Sequence, residues 1–228
     1  MRIYLNILNF CRFVMIVTSF LCVTYVHAGT IFVDDDGIND PGLGDSSVSD
    51  LWEDGSHEHP FDTIQEGIDA SFDGDEVVVL PGFYTGDGNR DLDYSHRLPE
   101  GQTRAITVRS IDPNDPEVVA ATIIDCGGTE EEPHRGFYFH SGEDANSGLA
   151  GLTITGGFGP FETVSWDSNL HSVGGGVFLK GYCTPTFQKC TFTGNVAEHG
   201  GGIFAYHYAG ATLESCIFTN NVADLRGG

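Results

Sequence analysis

The chain has 228 residues with 33 acidic side chains against 10 lysines and arginines, a net charge of −23, and it carries 31 glycines. So negative a surface repels nucleic acid and polyanionic glycans at long range and favours cations, so nucleic acid is excluded as a partner. Of the six cysteines, only Cys126, Cys183, Cys190 and Cys216 lie beyond residue 28. Their spacing lacks the paired CxxC form of a structural zinc site.

Arg2 and Arg12 precede an apolar run from Phe13 to Val26, and Val26, His27 and Ala28 have the small-residue form of a signal-peptidase site. Residues 1–28 therefore read as a cleaved signal peptide, with an uncleaved anchor as the alternative. The run is short for a membrane span, so no transmembrane segment is expected after processing. The expected location is outside the cell or on its outer surface.

Residues 29–75 read as an amino-terminal strand, an acidic loop and a capping helix. Thr30 to Val33 is the strand, and Asp34, Asp35 and Asp36 open the loop. The three aspartates are candidate calcium ligands, because calcium takes six to eight oxygens, although consecutive residues on a strand point to opposite faces. From Pro60 to Phe72 the period changes. Asp62 is placed to cap a helix, Gln65 to complete the capping box, and Ile64 and Ile68 share one face. Such a helix laid across the end of a strand stack protects its unpaired edge.

Residues 76–228 read as coils of strands. Val77 to Val79 is a buried run closed by Pro81 and Gly82. Asp87, Asn89, Asp91 and Asp93 alternate like the first half of a calcium loop, so Asp87, Asn89 and Asp91 form a second candidate set. Leu92 stands where that loop needs glycine, and Leu98 where it needs the bidentate acid. Further strands are expected over 105–110, 121–125, 136–140 and 149–155. Leu152 to Gly156 is the counterpart of Cys190 to Gly194, and the wider separation there makes 158–172 an insertion. Its Phe158, Phe161 and Trp166 are candidates for stacking on sugar rings, or for packing on the coil beneath.

The end of the chain repeats itself. Gly174, Gly175, Gly176, Val177 and Phe178 return in the same order as Gly200, Gly201, Gly202, Ile203 and Phe204. Cys190, Phe192, Asn195 and Ala197 return at the identical offset as Cys216, Phe218, Asn221 and Ala223. A period of this size means stacked units. The many glycines penalise helices, and short β-branched or aromatic runs between glycine corners suit one coil of a parallel β-helix. Residues one period apart then form ladders: Asn195 over Asn221 through side-chain amides, with Cys190 over Cys216, Phe192 over Phe218 and Phe178 over Phe204 as an apolar column inside. The stacked cysteines would be buried thiols or a disulfide. A third copy opens at Arg226, Gly227 and Gly228, so further coils or a partner are expected at the carboxyl end.

The glycine triplets together with FTGN (192–195) and FTNN (218–221) resemble the GGxI/FxxN repeats of the polymorphic outer membrane proteins. Residues 60–86 resemble the opening of secreted pectate-lyase-like β-helix proteins. These resemblances imply an all-β fold, a right-handed single-stranded parallel β-helix with a short amino-terminal capping α-helix. They imply a surface protein acting in adhesion or display, with a glycan or cell-surface ligand. The alternative is a polysaccharide lyase or glycoside hydrolase. A lyase needs a lysine or arginine base beside a uronate, often with calcium, and Lys180, Lys189, Arg104, Arg109 and Arg135 are the candidates. No HExxH or GxSxG signature occurs.

Overall fold

The computed structural model describes residues 28–35, 53–164 and 169–227. The signal-peptide reading, Asp36 and Trp166 fall outside the described residues. Strand β1 (Thr30–Val33) leads to helix α1 (Ile64–Ala70) and then to β2 (Glu76–Val79), β3 (Gly82–Thr85), β4 (Leu92–Asp93) and β5 (Thr107–Ser110). Helix α2 (Pro116–Ala121) precedes β6 (Thr122–Asp125), β7 (Phe137–Phe139), β8 (Gly148–Ala150) and β9 (Thr153–Thr155). The hairpin of β10 (Phe161–Thr163) and β11 (Leu170–Ser172) is followed by β12 (Val177–Lys180), β13 (Thr186–Gln188), β14 (Thr191–Thr193) and β15 (Val196–His199). The last coil holds β16 (Ile203–Tyr206), β17 (Thr212–Glu214), β18 (Ile217–Thr219) and β19 (Val222–Arg226).

These strands wind into a parallel β-helix. The first sheet runs β1-β2-β5-β8-β13-β17, the second β3-β6-β9-β14-β18, the third β4-β7-β12-β16, and a short fourth pairs β15 with β19. Within these four sheets every strand pair is parallel; β10 and β11 pair antiparallel and leave the wound column. The last two coils stack one sequence period apart, Phe192 on Phe218 and Val177 on Ile203. One coil earlier Thr153 pairs with Thr191, a longer step along the chain, and the extra length is the β10–β11 hairpin.

Strand alternation sends one set of side chains inward. Val77, Val108, Leu149 and Phe187 stand in register in the first sheet, and Ile154 and Phe192 in the second, all fully or almost fully buried. Phe192 stacks on Phe218 with ring centroids 4.9 Å apart. Asn195 is also buried completely. Its Oδ1 accepts from the Gly157 amide at 2.9 Å, and its Nδ2 donates to the Ile154 carbonyl and to Asn221 Oδ1, both at 3.0 Å. The side-chain amide thus ties three coils together at a corner and takes the Gly157 amide, which the backbone ladder leaves for it. The glycine triplets have a steric cause, since a Cβ on Gly175 would stand 2.6 Å from the Gly201 carbonyl oxygen. Coil corners approach too closely there for any side chain.

Four local expectations change. Phe178 does stack on Phe204, at 5.7 Å, but outside the column. Val177 and Leu179 take the inward positions, so alternation turns Phe178 out, where it packs with Val164 and Val173. The capping box of α1 lies one residue later than expected. Thr63 is the N-cap, accepting from the Glu66 amide and donating to Glu66 Oε2 at 2.7 Å. Gln65 instead bridges to the backbone of Asp93, which fixes the helix across the first coils. The expected strand over 149–155 is two strands, β8 and β9, because Gly151 turns a corner at φ 66°. The strand expected over 121–125 begins one residue later, because helix α2 runs up to Ala121; Asp115 caps it and Pro116 begins it, the usual start signals for a helix. At the far end of the column Leu213, Phe218 and Leu225 are exposed.

Candidate functional site

The outward face of the third sheet gathers the chemistry. Asp93, Tyr138, Phe178 and Phe204 occupy successive outward positions on β4, β7, β12 and β16. Tyr138 stacks on Phe178 at 5.4 Å with an angle of 8° between the rings, and His140 stacks on Tyr138 at 4.1 Å. Arg135 lies 4.9 Å from both the Tyr138 and the Phe178 ring centroids and is almost wholly buried. Its Nη1 has no hydrogen-bond partner among the described residues, and the two ring faces take that place as cation–π partners.

Two polar clusters flank this aromatic column. Lys180 Nζ lies 3.2 Å from Glu162 Oε2 on the hairpin, and Arg135 Nη2 lies 3.7 Å from Glu162 Oε1. Burial pulls the Lys180 pKa down, but the Tyr138 phenol and the Glu162 carboxylate outweigh it and hold the ammonium above the ordinary lysine value. The other cluster centres on Asp93. Ser95 Oγ donates to Asp93 Oδ1 at 2.6 Å, and His140 Nε2 lies 3.2 Å from both Asp93 Oδ2 and Ser95 Oγ. The hydrogen bond to Asp93 raises the His140 pKa, whereas burial opposes it. Burial pushes Asp93 up, but the bonds from His140 and Ser95 more than offset this and hold it below the usual carboxylate range. Both hydroxyl and imidazole therefore serve the carboxylate, and Ser95 is held as a donor, not as an activated nucleophile.

Next to this cluster opens a groove of about 560 Å³ with Ser95, Pro99, Glu100, His140, Ser141 and Tyr182 on its walls. Tyr182 is 68% exposed and stacks on Tyr208, 74% exposed, at 5.2 Å with the rings 12° apart. Both adopt left-handed backbone, φ 63° and 65°. Coil corners of this protein need that conformation, and Gly194 meets the same need at φ 65°. Lys189 and Ser215 adopt it as well, at φ 54° and 56°, so the conformation belongs to the corners and the tyrosines are distinguished by their paired, open ring faces.

The residues singled out from sequence are dispersed. Asp34 is buried and accepts from the Asp35 amide, and Asp35 accepts from the Phe83 amide. Asp87 is exposed and pairs with Arg90 at 3.0 Å. Asn89 Oδ1 accepts from the Ile64 amide at 2.9 Å at the start of α1. Asp91 accepts from the Arg135 amide at 3.0 Å and lies 2.6 Å from His134 Nδ1. Among the described residues no three His, Cys, Asp or Glu side chains gather so as to hold a metal ion. Phe158 and Phe161 lie together at 6.4 Å, Phe158 half-buried and bridged to Val196, Phe161 partly exposed. Cys126, Cys183, Cys190 and Cys216 are all free thiols.

Sequence reading missed the groove. A signal for half of it was present, since Tyr182 and Tyr208 are themselves one period apart. Asp93 and His140 carry none, because the coils that bring them together differ in length from that repeat.

No helix among the described residues is long and apolar enough to cross a membrane. No curated protein and no solved structure matches the chain. One family model does: residues 189–206 match the Chlamydia polymorphic membrane protein repeat, a stretch that runs from the corner before β14 to the end of β16.

Proposed function

We propose that this β-helix works at the cell surface or outside the cell in adhesion or display, binding neutral or amino-sugar glycans in the groove beside Tyr182. The observation that carries the reading is the exposed Tyr182–Tyr208 stack next to a groove lined by Ser95, His140 and Ser141. Open aromatic faces take the apolar face of a sugar ring, while hydroxyl and imidazole groups set its orientation. The repeat match over residues 189–206 supports a surface or outer-membrane setting. The net charge of −23 disfavours polyanionic ligands. Binding is favoured over uronate cleavage because Lys180 is held protonated beside Glu162, which makes it a poor base at neutral pH.

The test is a glycan array with the full chain, followed by titration of any glycan retained. Replacing Tyr182 and Tyr208 together by alanine should weaken that binding by at least about tenfold, the loss expected when a stacking face worth roughly 1.4 kcal/mol is removed. An array without any retained glycan, or a double variant that binds like the parent, refutes the reading. Release of unsaturated oligomers from uronate polymers, with or without calcium, would favour the lyase instead.

A further inference from the structure

A second cavity lies on another side of the column, away from the tyrosine groove. The outward residues Thr153, Thr191 and Ile217 stand in register on β9, β14 and β18 and form its floor. Helix α2 makes the wall, with Pro116, Val119 and Ala120 facing in. The helix is anchored there by the Thr153 hydroxyl, which donates to the Val119 carbonyl at 2.8 Å. The space is about 470 Å³, within the range that holds a small organic ligand. Ile217 remains 55% exposed on its floor.

The lining is mostly apolar with one charged exception. Lys189, at the corner between β13 and β14, reaches across the mouth and donates to Asn114 Oδ1. In a chain with 33 acids and 10 basic side chains, a single ammonium at the rim of an apolar slot selects the ligand's charge. We infer that this cavity binds a small anionic amphiphile, an alkyl or aryl carboxylate whose apolar body lies between α2 and Ile217 while its carboxylate meets Lys189. Thr191 and Ser215, which also line the cavity, supply hydroxyls beside that head group. The inference is independent of the glycan reading, because no residue lines both cavities.

The test is calorimetric titration of the full chain with decanoate, kept below its micelle concentration, and with the neutral decanamide. Decanoate should bind saturably at one site and at least about tenfold more tightly than decanamide. Lys189→Gln should erase that difference. Ala120→Trp, which fills the slot from an exposed position, should abolish binding of both, with an unchanged circular dichroism spectrum as the control for folding. Absence of saturable decanoate binding, equal binding of the amide, or a Lys189→Gln variant that discriminates like the parent overturns the inference. The last two outcomes do so even if Ala120→Trp fails to fold.

Discussion

Replacing Asn195 by alanine should be among the most damaging single changes in the column. The side chain is wholly buried and makes three hydrogen bonds, to the Gly157 amide, the Ile154 carbonyl and Asn221 Oδ1. Truncation leaves the Gly157 amide buried at a corner with no partner, while the Ile154 carbonyl keeps its place in the β9–β14 ladder. A buried polar group left without a partner costs about 1–3 kcal/mol, and the emptied side-chain volume adds to this, so the loss should come to roughly 2–4 kcal/mol before any water enters the gap. Asn221 offers the internal control. It is half-buried; its Nδ2 donates to the Phe192 carbonyl at 2.8 Å and its Oδ1 accepts from the Asn195 amide at 3.1 Å, groups that water reaches once the side chain is cut back. Asn221→Ala should therefore cost less, about 1–2 kcal/mol. Urea denaturation of both variants, followed by circular dichroism, measures the two costs. An Asn195→Ala variant within about 0.5 kcal/mol of the parent, a change typical of neutral surface sites, would refute the ladder as a source of stability. So would an Asn221→Ala variant that loses more than Asn195→Ala.

Two further predictions concern titrating groups. The neighbouring Cys190 side chain lowers the half-buried Cys216 thiol to about 6, while burial drives Cys190 itself well above the ordinary thiol range. Under reducing conditions Cys216 should be alkylated by iodoacetamide ahead of Cys183, which burial and the neighbouring Glu143 push up to about 12. Cys190→Ala should slow the alkylation of Cys216 near neutral pH; mass mapping of the labelled chain reads both. The Asp93–His140 pair should give stability a window in pH. The raised His140 pKa contributes in full below the ordinary imidazole value of 6.5 and is lost as pH climbs through the raised value. The lowered Asp93 pKa contributes above the ordinary 3.8 and is lost as pH falls through the lowered value. Melting temperatures between about pH 3 and 9 should fall at both limbs, and Asp93→Asn should flatten both. A variant that keeps either limb undiminished would assign that limb to other groups.

The fold was legible because stacking makes neighbours of residues a fixed number of positions apart. Asn195 and Asn221, or Phe192 and Phe218, declare their contact by an identical offset, and the glycine triplets mark the corners where backbone meets backbone. The inward or outward sense of a strand is subtler. Phe178 is as apolar as Phe192, and only the phase set by Val177 and Leu179 turns it outward under the hairpin.

By itself, then, the order of residues determined the wound column, its period, the insertion that interrupts it and the helix that crosses its first coils, since each rests on local spacing and turn chemistry. Tertiary structure alone decided the chemistry on the outside. Asp93 meets His140, and Lys189 meets Asn114, across coils of unequal length. In those irregular coils separation along the chain no longer maps onto height in the stack, so neither cavity is visible until the coils are wound.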